Sequence, residues 1–375
     1  MNAKKSFNRN QLMALGIAIL LSPALRLFPA APARLAGRAS WLTAIVAVPV
    51  LLLYIYFITR FMAARQEGEG LGQLTLRVLG RRLGVPALLL SAAWLLLYAG
   101  FVLRSGADRF ITTIYPRSSP RVFTVTMGIL CLVAALGRVR SVVRLAKIVL
   151  PVLLGTLLLI LIFAMLELDP ANLLPVTYHD APSLLTGALP VIDVLSVTLY
   201  LPGFLVGMMP REKGSFKSWS LWLVSVCLLL TALCIAVVGS FGPALTARLT
   251  HPFFSLVRNL VFFNTLERIE ALVVTLWIFP DFLLVSLLLW SAQLCLRLVL
   301  RHDPTEQEEK RLDMSRGRWL IWVCAAVVIA SGLLIAPSPQ ILQLWSERIV
   351  PGVNLAYAFA FLPLVWFLGR LRKAL

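Results

Sequence analysis

The chain of 375 residues is 59% hydrophobic and only 14% charged, which is more apolar surface than a soluble protein of this length can enclose. The sequence therefore predicts an integral membrane protein. Its formal net charge of +18 would suggest nucleic-acid binding in a soluble chain. In a membrane protein the distribution of that charge between loops matters more than its sum, and we expect no nucleic-acid partner.

The residue types that support metal, redox or nucleotide chemistry are scattered. The five cysteines lie inside apolar runs without a C-x-x-C pair, and the three histidines form no H-E-x-x-H motif. The sequence contains no G-x-x-x-x-G-K-[ST] loop for ATP. We expect no enzyme, no catalytic residue, no metal site and no cofactor.

Ten apolar stretches are long enough to cross a bilayer, which takes about 20 residues each. We place these spans at about 11–29, 40–61, 84–114, 121–137, 143–166, 184–209, 218–240, 267–299, 319–336 and 350–369. The first resembles a secretory signal, but Pro23 interrupts it and the rest of the chain is itself polytopic. We expect it to be a retained first helix in a single transmembrane domain covering 1–375.

Basic residues indicate the orientation. With ten spans both termini lie on one side, and 24 of the 35 Lys and Arg residues fall on that side. Because cytoplasmic loops carry the excess of Lys and Arg, both termini should be cytoplasmic. The same clusters are expected to contact anionic lipid.

Two spans contain helix-breaking residues at matching places. Span 1 contains Gly16 and Pro23, and span 6 contains Pro202 and Gly203. Since proline removes an amide donor and glycine tolerates non-helical torsions, both helices are expected to be broken. Such breaks predict two five-helix repeats of inverted topology, about 11–166 and 184–369, with a substrate site between them. Two structural kinks are the alternative.

The most specific pattern lies in the second half of the chain. It consists of Phe241-Gly-Pro, His251-Pro-Phe-Phe-Ser-Leu-Val-Arg258, and the block Glu267-Arg268-Ile-Glu270 followed by Trp277. Trp41, Asn172-Leu-Leu-Pro175 and Pro210 with the basic loop after it complete the pattern. Over nearly its whole length the chain resembles the endospore germination permease family, the GerAB-type subunits of spore germinant receptors, within the amino acid-polyamine-organocation transporter superfamily.

The resemblance implies an all-α integral membrane protein of ten transmembrane helices in a LeuT-like five-plus-five inverted repeat, with helices 1 and 6 broken. It also implies a subunit that recognises a small germinant, usually an amino acid. Its expected partners are an ion-channel-forming subunit and a lipoprotein subunit in a hetero-oligomer. The expected location is the cell membrane or the spore inner membrane.

The candidate ligand-binding residues come from the two breaks and from spans 3 and 8. At the first break, small residues would let a ligand approach the backbone, and exposed amides would attract a carboxylate. Gly16 could instead be a helix-packing position. The expected pocket comprises Gly16, Ala18, Leu21, Ser22, Tyr98, Tyr200, Leu201, Phe204, Trp277, Asp281, Leu284 and Leu288.

Phe204 and Asp281 bear on which ligand fits. The family often carries a glutamate near Phe204, and a phenylalanine offers only a cation–π contact. This favours a more apolar ligand, or an ammonium group held by backbone carbonyls around Leu201. Asp281 shares a face of span 8 with Trp277 and is a candidate proton carrier or ammonium partner. Alternatively it lies near a water-filled vestibule or pairs with an arginine.

Other charged residues have structural explanations. Near the outer end of span 3 we expect a pairing network formed by Arg104, Asp108 and Arg109. Asp193 could titrate or could simply begin a helix. We expect Glu267, Arg268 and Glu270 to form an ion-pair cluster that holds a re-entrant segment, 252–265, over the site. Its role would be gating or structure.

Two other functions fit the same residues. One is a proton-coupled amino-acid permease that works alone, with Asp281 or Asp193 carrying the proton. The other is a structural subunit that has lost ligand binding and only scaffolds its partners.

Overall fold

The computed structural model describes residues 8–113, 117–209, 215–260, 269–300 and 318–372. Within these ranges all regular secondary structure is helical. The α-helices are α1 (Arg9–Leu27), α2 (Ala30–Ala36), α3 (Thr43–Ala63), α4 (Leu71–Thr113), α5 (Pro120–Leu136), α6 (Val139–Leu166), α7 (Ala181–Gly187), α8 (Leu189–Tyr200), α9 (Ser215–Arg248), α10 (Pro252–Asn259), α11 (Ile269–Leu276), α12 (Ile278–Val299), α13 (Arg318–Leu334), α14 (Pro339–Leu344), α15 (Val350–Ala356) and α16 (Leu362–Leu371). Short 3₁₀ turns lie at Gly37–Leu42, Pro170–Asn172, Tyr178–Asp180, Leu201–Phe204 and Val206–Met208, and π-helical turns at Trp345–Ile349 and Tyr357–Phe361.

Eight helical stretches of the described chain are long and apolar enough to cross a membrane. They are Arg9–Leu27, Ala30–Ala63, Leu71–Thr113, Val139–Leu166, Tyr178–Phe204, Phe216–Arg248, Val273–Val299 and Pro339–Leu371. Two shorter apolar helices, α5 and α13, lie where the fourth and ninth spans are predicted. The protein is therefore an all-helical integral membrane protein.

The spans divide into an inner and a peripheral group. In Arg9–Leu27 and Tyr178–Phe204, 72% of the most apolar window is buried inside the protein, and in Val273–Val299 the share is 67%. The corresponding share is only 28% in Pro339–Leu371. Leucine and valine side chains on the peripheral helices face outward, where lipid replaces protein as the apolar neighbour.

Four helices meet in the middle of the bundle. The longest contact runs between α4 and α12, and α1 packs against α6, α8 and α12. Residues from spans 1, 3, 6 and 8 of the predicted order are therefore brought together. This is where the polar groups described below are buried.

Helix α1 is not broken at the predicted place. It is α-helical from Arg9 to Leu27 and contains both Gly16 and Pro23, so the predicted break there is wrong. Proline removes one amide donor, but hydrogen bonding continues beyond it, and the Phe28 amide donates to the Ala24 carbonyl at 2.7 Å. The packing of α1 against α6, α8 and α12 offsets the hydrogen bond that Pro23 cannot donate.

The sixth span changes its helix type where a break is predicted. Helix α8 ends at Tyr200 and continues as 3₁₀ turns, Leu201–Phe204 and Val206–Met208. The backbone tightens here rather than becoming extended. Pro202 cannot donate a hydrogen bond, which is consistent with the end of the α-helical pattern at this point.

Two long helices have kinks that the hydrophobic pattern does not predict. Within α4 and α9 the helical torsions are interrupted at Gly80 (φ 66°) and Gly242 (φ 72°). A positive φ is accessible to glycine at little cost and strains other residues. A Cβ at Gly242 would also lie 3.0 Å from Asn172 Oδ1, whose amide nitrogen donates to Gly239 O at 2.8 Å.

Alanine substitution distinguishes a kink glycine from a helical one. We expect Gly242→Ala to destabilise the protein by about 1–3 kcal/mol because of its backbone torsions. Gly155→Ala is the matched control, since a Cβ there meets nothing within 4 Å and α6 is regular. It should be neutral or stabilising by up to about 1 kcal/mol. Thermal unfolding of the purified protein measures both, and equal midpoints for the two variants would contradict the assignment.

Candidate functional site

Asp281 lies in the first turn of α12 and is 5% exposed. Its Oδ1 accepts a hydrogen bond of 2.5 Å from Ser22 Oγ of α1. Its Oδ2 accepts one from Arg109 Nη2 of α4, forming a buried ion pair. One carboxylate thus joins three inner helices, and the pairing offsets the cost of a charge at this depth.

The close approach of Asp281 to α4 depends on a glycine. A Cβ on Gly106 would lie 2.9 Å from Asp281 Oδ2, which is too close for a carbon atom. The guanidinium of Arg109 also lies over the ring of Phe254 in α10, 5.4 Å from its centroid. Arg109 is therefore held by a carboxylate on one helix and an aromatic face on another.

A second arginine lies one turn beyond Ser22 on α1. Arg26 is 8% exposed, and its guanidinium lies 4.6 Å from the centroid of the Phe101 ring. The carboxylates of Asp281 and Asp193 attract this guanidinium, and the guanidinium of Arg109 repels it. Among the described residues, its Nε and Nη2 have no hydrogen-bond partner.

Asp193 supplies the second buried carboxylate, from α8. It is 1% exposed, and the side chain of Asn354 in α15 lies near its carboxylate. Its Oδ1 has no hydrogen-bond partner in the described part of the chain. We call the set Ser22, Arg26, Tyr98, Arg109, Asp193 and Asp281 the central polar cluster.

A column of stacked rings borders the central polar cluster. Ring centroids are 6.0 Å apart for Trp94 and Tyr98, 6.4 Å for Tyr98 and Phe101, and 6.3 Å for Phe101 and Trp345. Trp94 Nε1 donates to Asn354 Oδ1 at 3.0 Å, so the column connects with the neighbour of Asp193. Rigid rings hold the cluster in place at little entropic cost.

The sequence belongs to a known family by direct comparison. The family model for spore germination proteins matches residues 7–340. The chain belongs to this family of germination permeases. No curated protein matches the chain in sequence.

A solved structure supports the fold of this germination permease. It is a Na⁺-coupled sialic acid symporter in a substrate-bound, outward-open state, with a TM-score of 0.55 and 13% sequence identity. The similarity covers 93% of this chain and 79% of the symporter chain. At this identity the likeness shows the fold alone, which is LeuT-like.

Only part of the predicted pocket of this permease is brought together. Ser22, Tyr98 and Asp281 belong to the central polar cluster, and Asp281 pairs with an arginine, as one of the alternatives for it supposes. Ala18, Leu21, Leu284 and Leu288 are buried in the apolar core. The hydroxyl of Ser22 is directed to Asp281 rather than left free beside exposed amides.

The remaining predicted pocket residues lie in other environments. Gly16 is a packing position, because a Cβ there would lie 3.2 Å from the ring of Trp222. The ring of Tyr200, next to Leu201, packs against the ring of Tyr357 with the centroids 4.9 Å apart and the planes tilted by 42°. Gly70 lies against the backbone of Phe204, and a Cβ on Gly70 would approach the Phe204 carbonyl oxygen to 2.6 Å.

Trp277 lies at the junction of α11 and α12 beneath the short helix α10. Its ring is 5.3 Å from Phe253 and 6.3 Å from Phe254. Helix α10 forms the first part of the predicted re-entrant segment, 252–265. Glu267 and Arg268 lie outside the described residues, as does the side chain of Glu270.

Sequence reasoning missed Arg26 and misassigned Arg109. Arg26 was not singled out, and Arg109 was expected to pair within span 3. The predicted network is present between Arg104 Nη1 and Asp108 Oδ1 at 3.6 Å, but Arg109 leaves it for Asp281. The spacing of Arg26 four residues after Ser22 could have placed it on the same face of α1.

Two other features lie apart from the cluster. A groove of about 410 Å³ is lined by apolar side chains of α3, α7, α8 and the C-terminal helices, and contains none of the predicted site residues. Among the described residues, no three His, Cys, Asp or Glu side chains are placed to hold a metal ion.

Neutralising Asp281 should be costly because Arg109 would remain buried without its partner. We expect Asp281→Asn to destabilise the permease by about 3–5 kcal/mol and Ser22→Ala by about 1–2 kcal/mol. The double variant Arg109→Gln/Asp281→Asn should lose less free energy of unfolding than Arg109→Gln and Asp281→Asn lose when added together. Thermal unfolding measures all of them.

The matched control is a peripheral ion pair. Arg34 and Glu347 pair with side chains 30% and 35% exposed, so Glu347→Gln should cost below about 1 kcal/mol. If Asp281→Asn cost no more than this control, Asp281 would not carry the helix contact assigned to it.

His251 gives a pH dependence. It precedes α10, with Nε2 4.0 Å from Asp108 Oδ2, and burial lowers its pKa from 6.5 to about 3, helped by Arg109 and Arg26. Below pH 6.5 the imidazole of His251 is protonated in the unfolded chain but stays neutral in the folded one. The free energy of unfolding is therefore highest above pH 6.5 and falls as the pH is lowered towards 3. In His251→Gln the unfolding midpoint should change less between pH 7 and pH 5 than it does in the wild type. Parallel profiles for the variant and the wild type would contradict this assignment.

Proposed function

We propose that this protein is the ligand-recognising membrane subunit of a spore germinant receptor. It binds a small, amino-acid-like germinant among the inner helices and triggers germination with an ion-channel-forming subunit and a lipoprotein subunit. The observation that carries the proposal is the buried, multi-helix environment of Asp281, in a chain of the germination permease family. An ionisable residue inside a membrane span is a functional-site candidate by default, which supports a ligand-related role for the region around Asp281.

The finer architecture belongs to the same proposal. We infer ten spans in two inverted repeats, about 11–166 and 184–369, with both termini cytoplasmic and the protein in the cell membrane or spore inner membrane. The α-to-3₁₀ transition after Tyr200 supports an interruption in the sixth span, whereas α1 is continuous through Gly16 and Pro23. The likeness to a symporter with a LeuT-like fold supports the repeat.

The proposed pocket is narrower than the sequence suggested. Ser22, Tyr98 and Asp281 supply polar groups, and Leu21 and Leu284 are proposed as apolar walls. Gly16 and Phe204 are left out because their contacts are with Trp222 and with the loop before α4. Gly16→Leu is accordingly expected to lower protein abundance, whereas a pocket role would leave abundance near normal and remove the response.

Signalling follows from differential binding. A ligand shifts a conformational equilibrium only by its difference in affinity for the two states. Because the polar groups come from α1, α4, α8 and α12, any ligand that contacts them favours one arrangement of these helices. The partners would respond to that arrangement.

A proton-coupled amino-acid permease is the second candidate. The fold shared with a Na⁺-coupled symporter favours it. So does Asp281, whose carboxylate could be protonated when its ion pair with Arg109 breaks. In this case the ligand would cross the membrane instead of only being sensed.

Uptake and binding measured on one preparation separate the functions. Radiolabelled L-amino acids are presented to the purified protein in nanodiscs and in proteoliposomes with an imposed proton gradient. Binding without accumulation is expected for a sensor, and gradient-dependent accumulation would support the permease. Absence of binding by every L-amino acid tested would overturn both and leave a scaffold.

A further inference from the structure

Four exposed arginines lie at the end of the bundle where α4 begins and α16 ends. Arg81 and Arg82 follow the glycine kink of α4, and Arg370 and Arg372 lie at the end of α16. The two pairs meet, because a guanidinium nitrogen of Arg372 donates to the carbonyl of Leu79 in α4. We call the four residues the α4–α16 arginine cluster.

Backbone carbonyls hold two of these guanidinium groups in place. Arg372 is bound to Leu79 O, and Arg81 Nη2 donates to Val299 O at the end of α12 at 3.1 Å. The kink makes room for Arg372, since even a Cβ on Gly80 would lie 3.6 Å from its Nη1. A carbonyl accepts a hydrogen bond but carries no net charge. Three helices therefore fix the arginines without neutralising them.

Among the described residues, no carboxylate balances the α4–α16 arginine cluster. None of its four members belongs to an ion pair there. Glu69, the acid that precedes α4 most closely in the sequence, is already paired with Arg77 at 2.9 Å. Like charges repel one another, so an anion that contacts several of the arginines at once would stabilise the cluster.

A tryptophan indicates the depth of the cluster in the membrane. The guanidinium of Arg370 lies 4.3 Å from the centroid of the Trp366 ring. Tryptophan is enriched at the membrane–water interface, and arginines near the ends of spans extend their charge to the same level. The anionic groups found at that level of a bilayer are the phosphates of phospholipids.

An exposed apolar stripe runs along α4 from Arg82 towards the middle of the membrane. Leu89, Leu90 and Leu97 lie on the same helix face as Arg82 and are 45%, 68% and 37% exposed. On α16, Phe367 is 54% exposed. An acyl chain can therefore lie along this surface while its phosphate is held at Arg82.

Charge and apolar surface together select an anionic phospholipid. A soluble phosphate would pair with the arginines but would leave the stripe uncovered. A zwitterionic phospholipid would cover the stripe, but the cation in its head group would oppose the arginines. Clusters of four or more basic residues at the end of a membrane span are typical of sites for anionic lipid.

We propose that the α4–α16 arginine cluster binds one anionic phospholipid of the adjacent leaflet, with the phosphate between Arg82 and Arg372 and an acyl chain along Leu89 and Leu90. The site is separate from the central polar cluster and does not depend on the germinant role. Helix α4 is an inner helix, whereas α16 ends the span that is least buried in the protein. The lipid thus joins an inner helix to a peripheral one and stabilises their contact.

The first arm of the test needs no variant. The full chain in a neutral detergent is titrated with phosphatidylglycerol or with phosphatidylcholine, and bound lipid is counted by native mass spectrometry. Phosphatidylglycerol should bind at least about 10-fold more tightly, because each arginine near an anionic head group contributes a factor of about 5. Added NaCl should reduce the preference by screening. Equal affinities for the two lipids would overturn the site.

The second arm changes one charge at a time. Arg82 is exposed and no described residue hydrogen-bonds to it, so its substitutions should leave folding intact. Arg82→Gln should weaken phosphatidylglycerol binding about 5-fold, and Arg82→Glu should remove the preference over phosphatidylcholine. Arg60→Gln is the matched control, because Arg60 is an exposed arginine at the end of α3 that likewise lies over an aromatic ring, that of Tyr56, 5.3 Å from its centroid. It should bind phosphatidylglycerol as the wild type does.

Stability provides a second readout in a bilayer. In nanodiscs that contain phosphatidylglycerol the unfolding midpoint should be higher than in phosphatidylcholine alone, and the rise should be smaller in Arg82→Glu. A rise of equal size in the variant, or a loss of the lipid preference as large in Arg60→Gln, would indicate a general surface effect and overturn the site. If inorganic phosphate displaced phosphatidylglycerol at equal concentration, the cluster would be a site for a soluble anion and the lipid proposal would fail.

Discussion

The structure depends on how a carboxylate can exist in the interior of a membrane protein. An isolated charge there is expensive, so Asp281 must be surrounded by partners before the helices around it can pack. Arg109 and Ser22 supply them from two other helices, and the absence of a side chain at Gly106 makes room for the carboxylate. Apolar contacts alone are weakly selective between helices in lipid, because the lipid is as apolar as leucine. The ion pair therefore determines which faces of α4 and α12 meet, and the hydrogen bond from Ser22 does the same for α1.

The second pair of charges differs in kind although it lies in the same cluster. Arg26 and Asp193 have aromatic and amide neighbours, and both keep unpartnered atoms. A pair whose polar atoms all have partners has nothing to gain from rearrangement, whereas a pair with unpartnered atoms is stabilised by any group that completes its hydrogen bonds. This difference fits an organisation in which helices of the two proposed repeats move relative to each other about a fixed anchor.

Hydropathy predicts most of the fold because the bilayer imposes one requirement on every span, a sufficient length of apolar helix. The family block around Trp277 and the acid Asp281 are likewise visible in the sequence. The course of α1 is not, since whether a proline breaks a helix depends on the packing that offsets its missing bond. Arg26 was missed for a similar reason: an arginine at the end of an apolar run has the same appearance whether it faces a loop or points into the core. The partner of a charge is a tertiary property, and Asp281 is separated from Arg109 by 172 residues and from Ser22 by 259 residues along the chain.

The stacked column of Trp94, Tyr98, Phe101 and Trp345 has a spectroscopic consequence. Phe101 carries the guanidinium of Arg26 on its face, and the column ends at a half-buried tryptophan, Trp345. Indole emission depends on the charges and ring contacts around it, so a displacement of Arg26 alters the surroundings of the whole column. Trp94 and Trp345 are thus two of the ten tryptophans whose emission depends on the surroundings of the buried charges.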